Sequence, residues 1–185
     1  FTLANQINGR PVVKFLQASS QYLTKVTATG VNLTNSGSTF IVMRKTSSLD
    51  MLNILFIGGS CNGGRQFSYS TSLTRFEMNR HCDGQVAQVN AFAWSIGEVK
   101  QISILQLLST NITFRSNGIE LLNTTPLIST AYSTGVINVN SSNNIGNHSD
   151  MEIAEILFYS DRISDQDVNS VECYLGARYG TRTCN

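Results

Sequence analysis

The feature that most constrains this chain is a short alternation of apolar and polar residues, repeated between turn formers. PVVKFLQ (Pro11–Gln17), QYLTKVT (Gln21–Thr27), TFIVMRK (Thr39–Lys45) and LNILFIG (Leu52–Gly58) read as strands, and the Gly-rich SCNGGR breaks the last of them. LTRFEMN, VAQVNAFAW and EVKQISILQLL follow. NITFRSN and GIELL then meet at Asn117-Gly118, a pair that tolerates positive φ and so marks a hairpin. STGVINVNSSNNIGNHSD reads as one strand and an exposed loop. About a dozen strands with almost no helix between them exclude a parallel α/β sheet. The fold predicted is all-β, two antiparallel sheets packed face to face, in a single domain over 1–185.

One helix closes the chain. Ser164 caps it, Asp165 and Asp167 meet the positive end of its dipole, and Gly180 stops it. Val168, Val171, Leu175 and the stem of Arg178 form its apolar stripe, which is expected to pack on the edge or end of the sandwich.

Composition narrows the function. Charged residues are only 14% and the formal net charge is +1, with Lys and Arg scattered singly, so no basic patch for a phosphate backbone exists. Nucleic acid is excluded as a partner. Polarity comes from Ser, Thr and Asn, nearly a third of the residues, which suits a secreted or cell-surface protein. No apolar run reaches the ~18 residues that span a bilayer, so membrane insertion is not expected. The opening FTLANQINGRP starts in mid-pattern and reads as a mature or excised piece of a longer chain.

Cys61, Cys82, Cys173 and Cys184 allow three pairings, and Cys61–Cys82 with Cys173–Cys184 closes the most local loops. Four reduced thiols, or a metal held by Cys61, His81 and Cys82, are the alternatives; the second matches no common zinc spacing. Sequons stand at Asn32, Asn111, Asn123, Asn140 and Asn147. With 18 Asn in the chain, chance alone supplies roughly four, so the number itself says nothing of glycosylation.

EIAEILFY (Glu152–Tyr159) places two carboxylates three residues apart. As a strand it sends them to opposite faces, with α-carbons ~10 Å apart. Glycosidase carboxylates must face one cleft, ~5–5.5 Å apart for retention or ~6.5–9.5 Å for inversion. The pair fails on direction, and Glu155 is expected to be a partly buried carboxylate with an arginine or amide partner.

NNIGNHSDMEIAEILFYSDRISDQDVNSVECYLGARYG resembles the C-terminal signature of concanavalin A-like, laminin-G-like jelly-roll domains. Ile145-Gly146, Ile153-Ala154-Glu155-Ile156, Ile163-Ser164-Asp165, Tyr174-Leu175 and Tyr179-Gly180 carry it in order, and NGRPVVKFLQASSQYL and FRSNGIELL echo it upstream. Leu16-Gln17 and Met151-Glu152 depart from it, as does the absence of an early Trp-containing strand. The resemblance implies a two-sheet antiparallel jelly-roll sandwich with one C-terminal helix, in which Glu155 serves the fold. It also implies binding of glycans or protein partners, with calcium at rim loops in many relatives; Asp50, Asp83, Asp150 and Asp161 are the aspartates in such loops. Hydrolase relatives carry an Asp where Ala154 stands, and lyase relatives use His, of which His81 and His148 are the two here. No catalytic residue is therefore predicted.

A sugar site needs an aromatic platform. Trp94 alternates with Phe92 and Ile96 and reads as core, whereas Tyr69 in FSYSTS and Tyr132 in STAYSTG lie in polar surroundings and are the candidate ligand-binding residues. Three functions remain: a non-catalytic adhesion module for a glycan or surface protein, a structural subunit of an extracellular fibre or coat joined through sheet edges into a homo-oligomer or filament, and a carbohydrate-active enzyme. The first is favoured.

Overall fold

The computed structural model describes residues 6–25, 36–58, 65–80, 84–107, 110–126, 136–141 and 148–184. Numbered in chain order, the first sheet runs β12 (Ile119–Thr124), β11 (Asn111–Ser116), β10 (Val99–Leu107), β5 (Ser36–Lys45), β14 (Met151–Tyr159), β3 (Val13–Phe15). The second runs β4 (Leu23–Lys25), β13 (Val136–Val139), β6 (Met51–Gly58), β7 (Arg65–Ser70), β8 (Arg75–Arg80), β9 (Gly84–Val89). The pairings in both are antiparallel. A short hairpin of β1 (Gln6–Ile7) and β2 (Arg10–Pro11) and the helix α1 (Asp165–Tyr179) complete the chain. The expected two-sheet antiparallel sandwich with one C-terminal helix is what forms.

The apolar pattern of β5 explains why there are three layers. Ile41 and Met43 enter the core between the sheets, while Phe40 and Val42 point to the opposite face, and all four are fully buried. Val168, Leu175 and Tyr179 of α1 cover that opposite face together with Ile7 and Val12. The helix thus lies on the outer face of the first sheet rather than on an edge or end. The reason lies in β5 and β10: Leu105 joins Phe40 and Val42 in a second apolar face that needs a cover. Burying each such side chain contributes roughly 1.5–3 kcal/mol.

Local signals behaved as their chemistry dictates. Ser164 Oγ accepts the Asp167 N–H at 3.1 Å, and Gly180 ends the helix in the left-handed region at φ 73°. Asn117 and Gly118 turn the β11–β12 hairpin at φ 49° and 81°, and Asn117 Oδ1 accepts the Gln101 N–H at 2.9 Å. Cys173 and Cys184 form a disulfide that ties the tail to the helix. Cys61, Cys82 and His81 lie outside the described residues.

The EIAEILFY strand departs from simple alternation. Glu152 stands opposite Arg44 and Ile153 opposite Met43, but Glu155 stands opposite Val42, so Ala154 is an extra residue in a β-bulge. That inserted residue reverses the parity. Arg44 and Val42 share a face, so Glu152 and Glu155 share it too, contrary to the opposite faces expected. Each is engaged by a basic or hydroxyl partner. Glu152, 3% exposed, is held by Arg44 through Nε at 2.7 Å and through Nη2. Glu155 Oε2 accepts the Tyr179 hydroxyl at 2.7 Å, with Arg178 Nε at 3.4 Å, the partly buried and partnered carboxylate expected.

On the buried face of the helix lies a third carboxylate, Glu172, with 0% exposure. It accepts from Ser103 Oγ at 2.8 Å, from Arg115 Nε at 2.8 Å and from Arg182 Nη1 at 2.8 Å. Arg182 reaches it because the disulfide folds the tail back over Gly176 and Gly118. Replacing Glu172 with alanine takes the shared acceptor from Arg115, Arg182 and Ser103, and the expected loss is about 3 kcal/mol in urea unfolding. A loss under about 1 kcal/mol would show that this network does not hold the helix down.

Candidate functional site

Five loops meet at one end of the sandwich: 16–22 after β3, 46–50 after β5, 71–74 after β7, 90–98 after β9, and the approach to β14. Their foundation is aromatic. Phe92 and Trp94 drop from the 90–98 loop into the end of the core, where they pack edge-on with each other and with Tyr69 at 5.4–6.0 Å between ring centres. The Tyr69 hydroxyl donates to the Phe92 carbonyl at 3.1 Å, and Trp94 Nε1 donates to the Glu98 carbonyl at 2.9 Å.

Lys45 stands on this floor. It is 2% exposed; its Nζ lies 4.9 Å from the Tyr69 ring centre and donates to Thr71 Oγ1 at 2.7 Å. Its carbonyl accepts the Gly97 N–H at 2.8 Å. Burial pulls the Lys45 pKa down, and the Asp50 carboxylate pulls it partly back. Asp50 Oδ1 in turn accepts the Thr71 N–H at 2.6 Å, and Thr71 Oγ1 donates to the Leu49 carbonyl at 3.0 Å.

Above Lys45 opens a cleft of about 440 Å³ lined by Gln17, Ser48, Leu49, Asp50, Thr71 and Ser72. Gln17 is placed by its backbone, whose N–H donates to Asp150 Oδ1 at 2.8 Å. Among the described residues, the Gln17 side-chain amide, the Ser48 hydroxyl and Asp50 Oδ2 have no committed partner, and Ser72 Oγ meets only Ser70 Oγ at 3.3 Å. The cleft thus offers an amide, two hydroxyls and a carboxylate oxygen around an apolar wall. Among the described residues, Asp50 is its one titratable lining group, and these residues supply no acid–base pair.

The structure sorts the sequence-predicted residues. Tyr69 is corrected from surface platform to core: it is 1% exposed, because RQFSYS is a strand whose Phe67 and Tyr69 face inward while Ser68 and Ser70 face out. Trp94 is core, as expected, at 5% exposure, although Ile96 beside it is exposed. Tyr132 lies outside the described residues. The exposed aromatic at this end is Tyr22, stacked on His148 at 5.8 Å and 15°, with His148 Nδ1 donating to the Asn140 carbonyl at 2.7 Å. Sequence reasoning passed it over because QYLTKVT read simply as a strand.

Asn140 is corrected as a glycan acceptor. It is 0% exposed; its Nδ2 donates to the Gln21 and Ser149 carbonyls at 2.8 and 3.1 Å and its Oδ1 accepts the Ser149 N–H at 2.7 Å. It is a structural amide that binds the rim loops together. Asn111 and Asn123 bond side chain to side chain across β11 and β12, and Asn111 Oδ1 also accepts from Thr113 and Arg162. Asn32 and Asn147 lie outside the described residues. Of the aspartates considered for calcium, Asp50 and Asp150 flank the cleft region with one oxygen each on a backbone N–H, Asp161 lies at the opposite end of β14, and Asp83 is not described. No three His, Cys, Asp or Glu side chains among the described residues converge on a point where a metal would sit. None of their helices is long and apolar enough to cross a membrane.

No protein-family model matches the chain, and no curated protein matches it in sequence. Solved structures do. The binding domain of botulinum neurotoxin DC, in complex with rat synaptotagmin II, is similar with a TM-score of 0.62 and 13% identity over 83% of this chain and 40% of that one. The CBM40 of Ruminococcus gnavus IT-sialidase, bound to α2,3-sialyllactose, is similar with a TM-score of 0.61 and 10% identity over 75% of this chain and 83% of that one. Leech intramolecular trans-sialidase is similar with a TM-score of 0.60 and 12% identity, over 74% of this chain and 23% of that one. At these identities the likeness establishes a shared β-sandwich fold. The chain spans well under half of the toxin domain and under a quarter of the trans-sialidase, and most of the CBM40.

The aromatic floor gives the cleft a pH signature. Burial pushes the Tyr69 phenol above its ordinary 10.0, and the charges of Asp50 and Glu98 add to that. Burial, then the bond to Glu155, does the same for Tyr179. Above pH 10 the unfolded chain gives up these protons while the folded one keeps them, so stability is intact below pH 10 and falls as pH rises beyond it. Tyr69→Phe should cost about 0.5–1.5 kcal/mol at neutral pH for the lost hydrogen bond and should flatten the fall between pH 9 and 11. Denaturant midpoints across that range decide it; an unchanged slope means that Tyr69 does not stay protonated.

Proposed function

We propose that this chain is a non-catalytic binding module of the concanavalin A-like kind, secreted or displayed at the cell surface, whose rim cleft takes an uncharged, hydroxyl-rich glycan. The observation that carries this reading is the set of uncommitted polar groups around the cleft. Asp50 Oδ2 and the Gln17 amide can bind neighbouring sugar hydroxyls, and Ser48 and Ser72 both donate and accept. Leu49 offers an apolar wall for the C–H face of a sugar ring. Support comes from the fold: the CBM40 neighbour, matched over most of its length, is bound to an oligosaccharide.

The charge of the lining selects within glycans. Its single ionisable group among the described residues is a carboxylate, so an acidic sugar would bring a second negative charge against Asp50. The sialyl group of the CBM40 ligand therefore does not transfer to this chain, whereas recognition of sugar hydroxyls does. The Cys173–Cys184 disulfide supports the compartment, since oxidising surroundings preserve such a bond.

A glycan array with the intact protein, run with calcium and again with chelator, tests the reading. Neutral oligosaccharides should bind above sialylated ones in both conditions. Asp50→Asn keeps an oxygen for the Thr71 N–H, and Gln17→Ala removes only an exposed side chain, so both should fold and each should weaken binding about tenfold. No binding to any glycan, or binding untouched by both substitutions, would remove the cleft as the site.

A further inference from the structure

The three loops that form the cleft carry a second feature in common. Leu16 adjoins Gln17, Leu49 is flanked by Ser48 and Asp50, and Leu73 adjoins Ser72; their exposures are 41%, 50% and 56%. Ile96, 59% exposed, stands on the 90–98 loop that the Lys45 carbonyl anchors through Gly97. Ten large apolar side chains are exposed among the described residues, and six of them, these four with Tyr22 and Leu23, lie at this end. Single exposed leucines need no explanation; a collar of them around one polar cleft does.

The loops that carry the collar are held from below. Thr71 is fixed by Lys45 and Asp50, and the 16–21 segment by Asp150, Gln21 and Asn140, through the Gln17 N–H, the Leu16 N–H and the Gln21 carbonyl. The leucines therefore have no core to fold into, and they project around a mouth lined with hydrogen-bonding groups. A soluble oligosaccharide uses the mouth and leaves the collar wet. A sugar attached to a lipid brings a hydrocarbon boundary to the collar at the same moment that its head fills the mouth.

Resting on the glycan reading above, we infer that the ligand is a neutral glycolipid presented on a bilayer surface. Its sugar head enters the cleft, and Leu16, Leu49, Leu73 and Ile96 contact the lipid interface. Electrostatic attraction plays little part. Among the described residues, Asp50, Glu98 and Asp150 stand at this end against Lys45, Arg75, Lys100 and His148, with Lys45 buried, Arg75 paired with Glu77 and Lys100 paired with Glu98, so they form no basic patch to face the membrane. Binding should accordingly change little between 50 and 500 mM salt on the scale of ionic strength that screens surface charge, about a Debye length of 10 Å at 0.1 M.

Flotation with the intact protein tests this, using phosphatidylcholine vesicles that carry galactosyl-, glucosyl- or lactosylceramide, plain phosphatidylcholine vesicles, and free galactose, glucose and lactose. The wild type should float with at least one glycolipid vesicle, should not float with plain vesicles, and should bind the free sugar more weakly. The paired substitution Leu16→Ser with Leu73→Ser changes only exposed side chains outside the cleft lining; it should lower vesicle binding about tenfold or more and leave free-sugar binding unchanged. Asp50→Asn should weaken both. Equal vesicle binding by wild type and the leucine variant, or vesicle binding no tighter than free-sugar binding, overturns the glycolipid inference and leaves the glycan reading standing. Equal flotation with plain vesicles overturns it in favour of a general lipid surface, and leucine-dependent capture of a protein in place of lipid overturns it in favour of a protein partner. Binding to neither sugars nor vesicles overturns both readings.

Discussion

A buried ammonium group organises the end of this molecule where the polar cleft opens. Lys45 closes β5 in the first sheet, yet its Nζ bonds Thr71 and faces the Tyr69 ring, both in the chain of the second. Its carbonyl meanwhile holds the 90–98 loop. One residue thus joins two sheets and three loops. A charge at 2% exposure is costly in isolation. The cost is offset here by a hydroxyl, an aromatic face and the nearby Asp50 carboxylate, a combination that fixes Thr71 and Asp50 relative to each other. The cleft inherits its shape from that arrangement, because Thr71 and Asp50 both line it.

The bulge at Ala154 shows how one residue can change the meaning of a sequence pattern. Alternation alone sends Glu152 and Glu155 apart, and a carboxylate pair on opposite faces cannot act on one bond. The extra residue brings them to one face, where the geometric objection disappears. Both are engaged by neighbours: Arg44 holds one glutamate, and Tyr179 with Arg178 engages the other. The argument from opposite faces had rested on a parity that the strand does not keep. β-Bulges leave little trace in composition, and EIAEILFY has no glycine to advertise one.

Much of the fold was legible because its signals are local. The Asn117-Gly118 turn, the Ser164 cap and the Gly180 stop each act over four residues or fewer, and the apolar alternation of β5, β10 and β11 reports directly on burial. The helix position was not legible, since it depends on Phe40, Val42 and Leu105 forming a second apolar face across β5 and β10. The strand β7 was missed because it begins straight after a glycine-rich segment and alternates with serines. Reading Ser68 and Ser70 as a polar setting, rather than as the outward half of a strand, turned the buried Tyr69 into a surface tyrosine. The cleft itself could not be read from the chain. Gln17, Asp50 and Ser72 stand on three loops far apart in the chain, and only the pairing of β3, β5 and β7 with their neighbours brings the loops to one end.

The polar groups that hold this fold together are not the ones left open at the cleft. Glu172, Glu152 and Asn140 are buried, and each is engaged by named partners; their removal would damage the structure. The Gln17 amide, the Ser48 hydroxyl and Asp50 Oδ2 are uncommitted among the described residues, and they sit at the surface on loops that the buried groups hold still. Loops of this kind lose little freedom when a ligand arrives, because the ordering has already been done by folding. That division also explains why a shared sandwich does not predict a shared ligand. The sheets, the helix and the aromatic floor are what structural neighbours can hold in common at 10–13% identity. The charge, hydroxyls and leucines at the rim belong to individual loop positions, which can change without cost to the core beneath them.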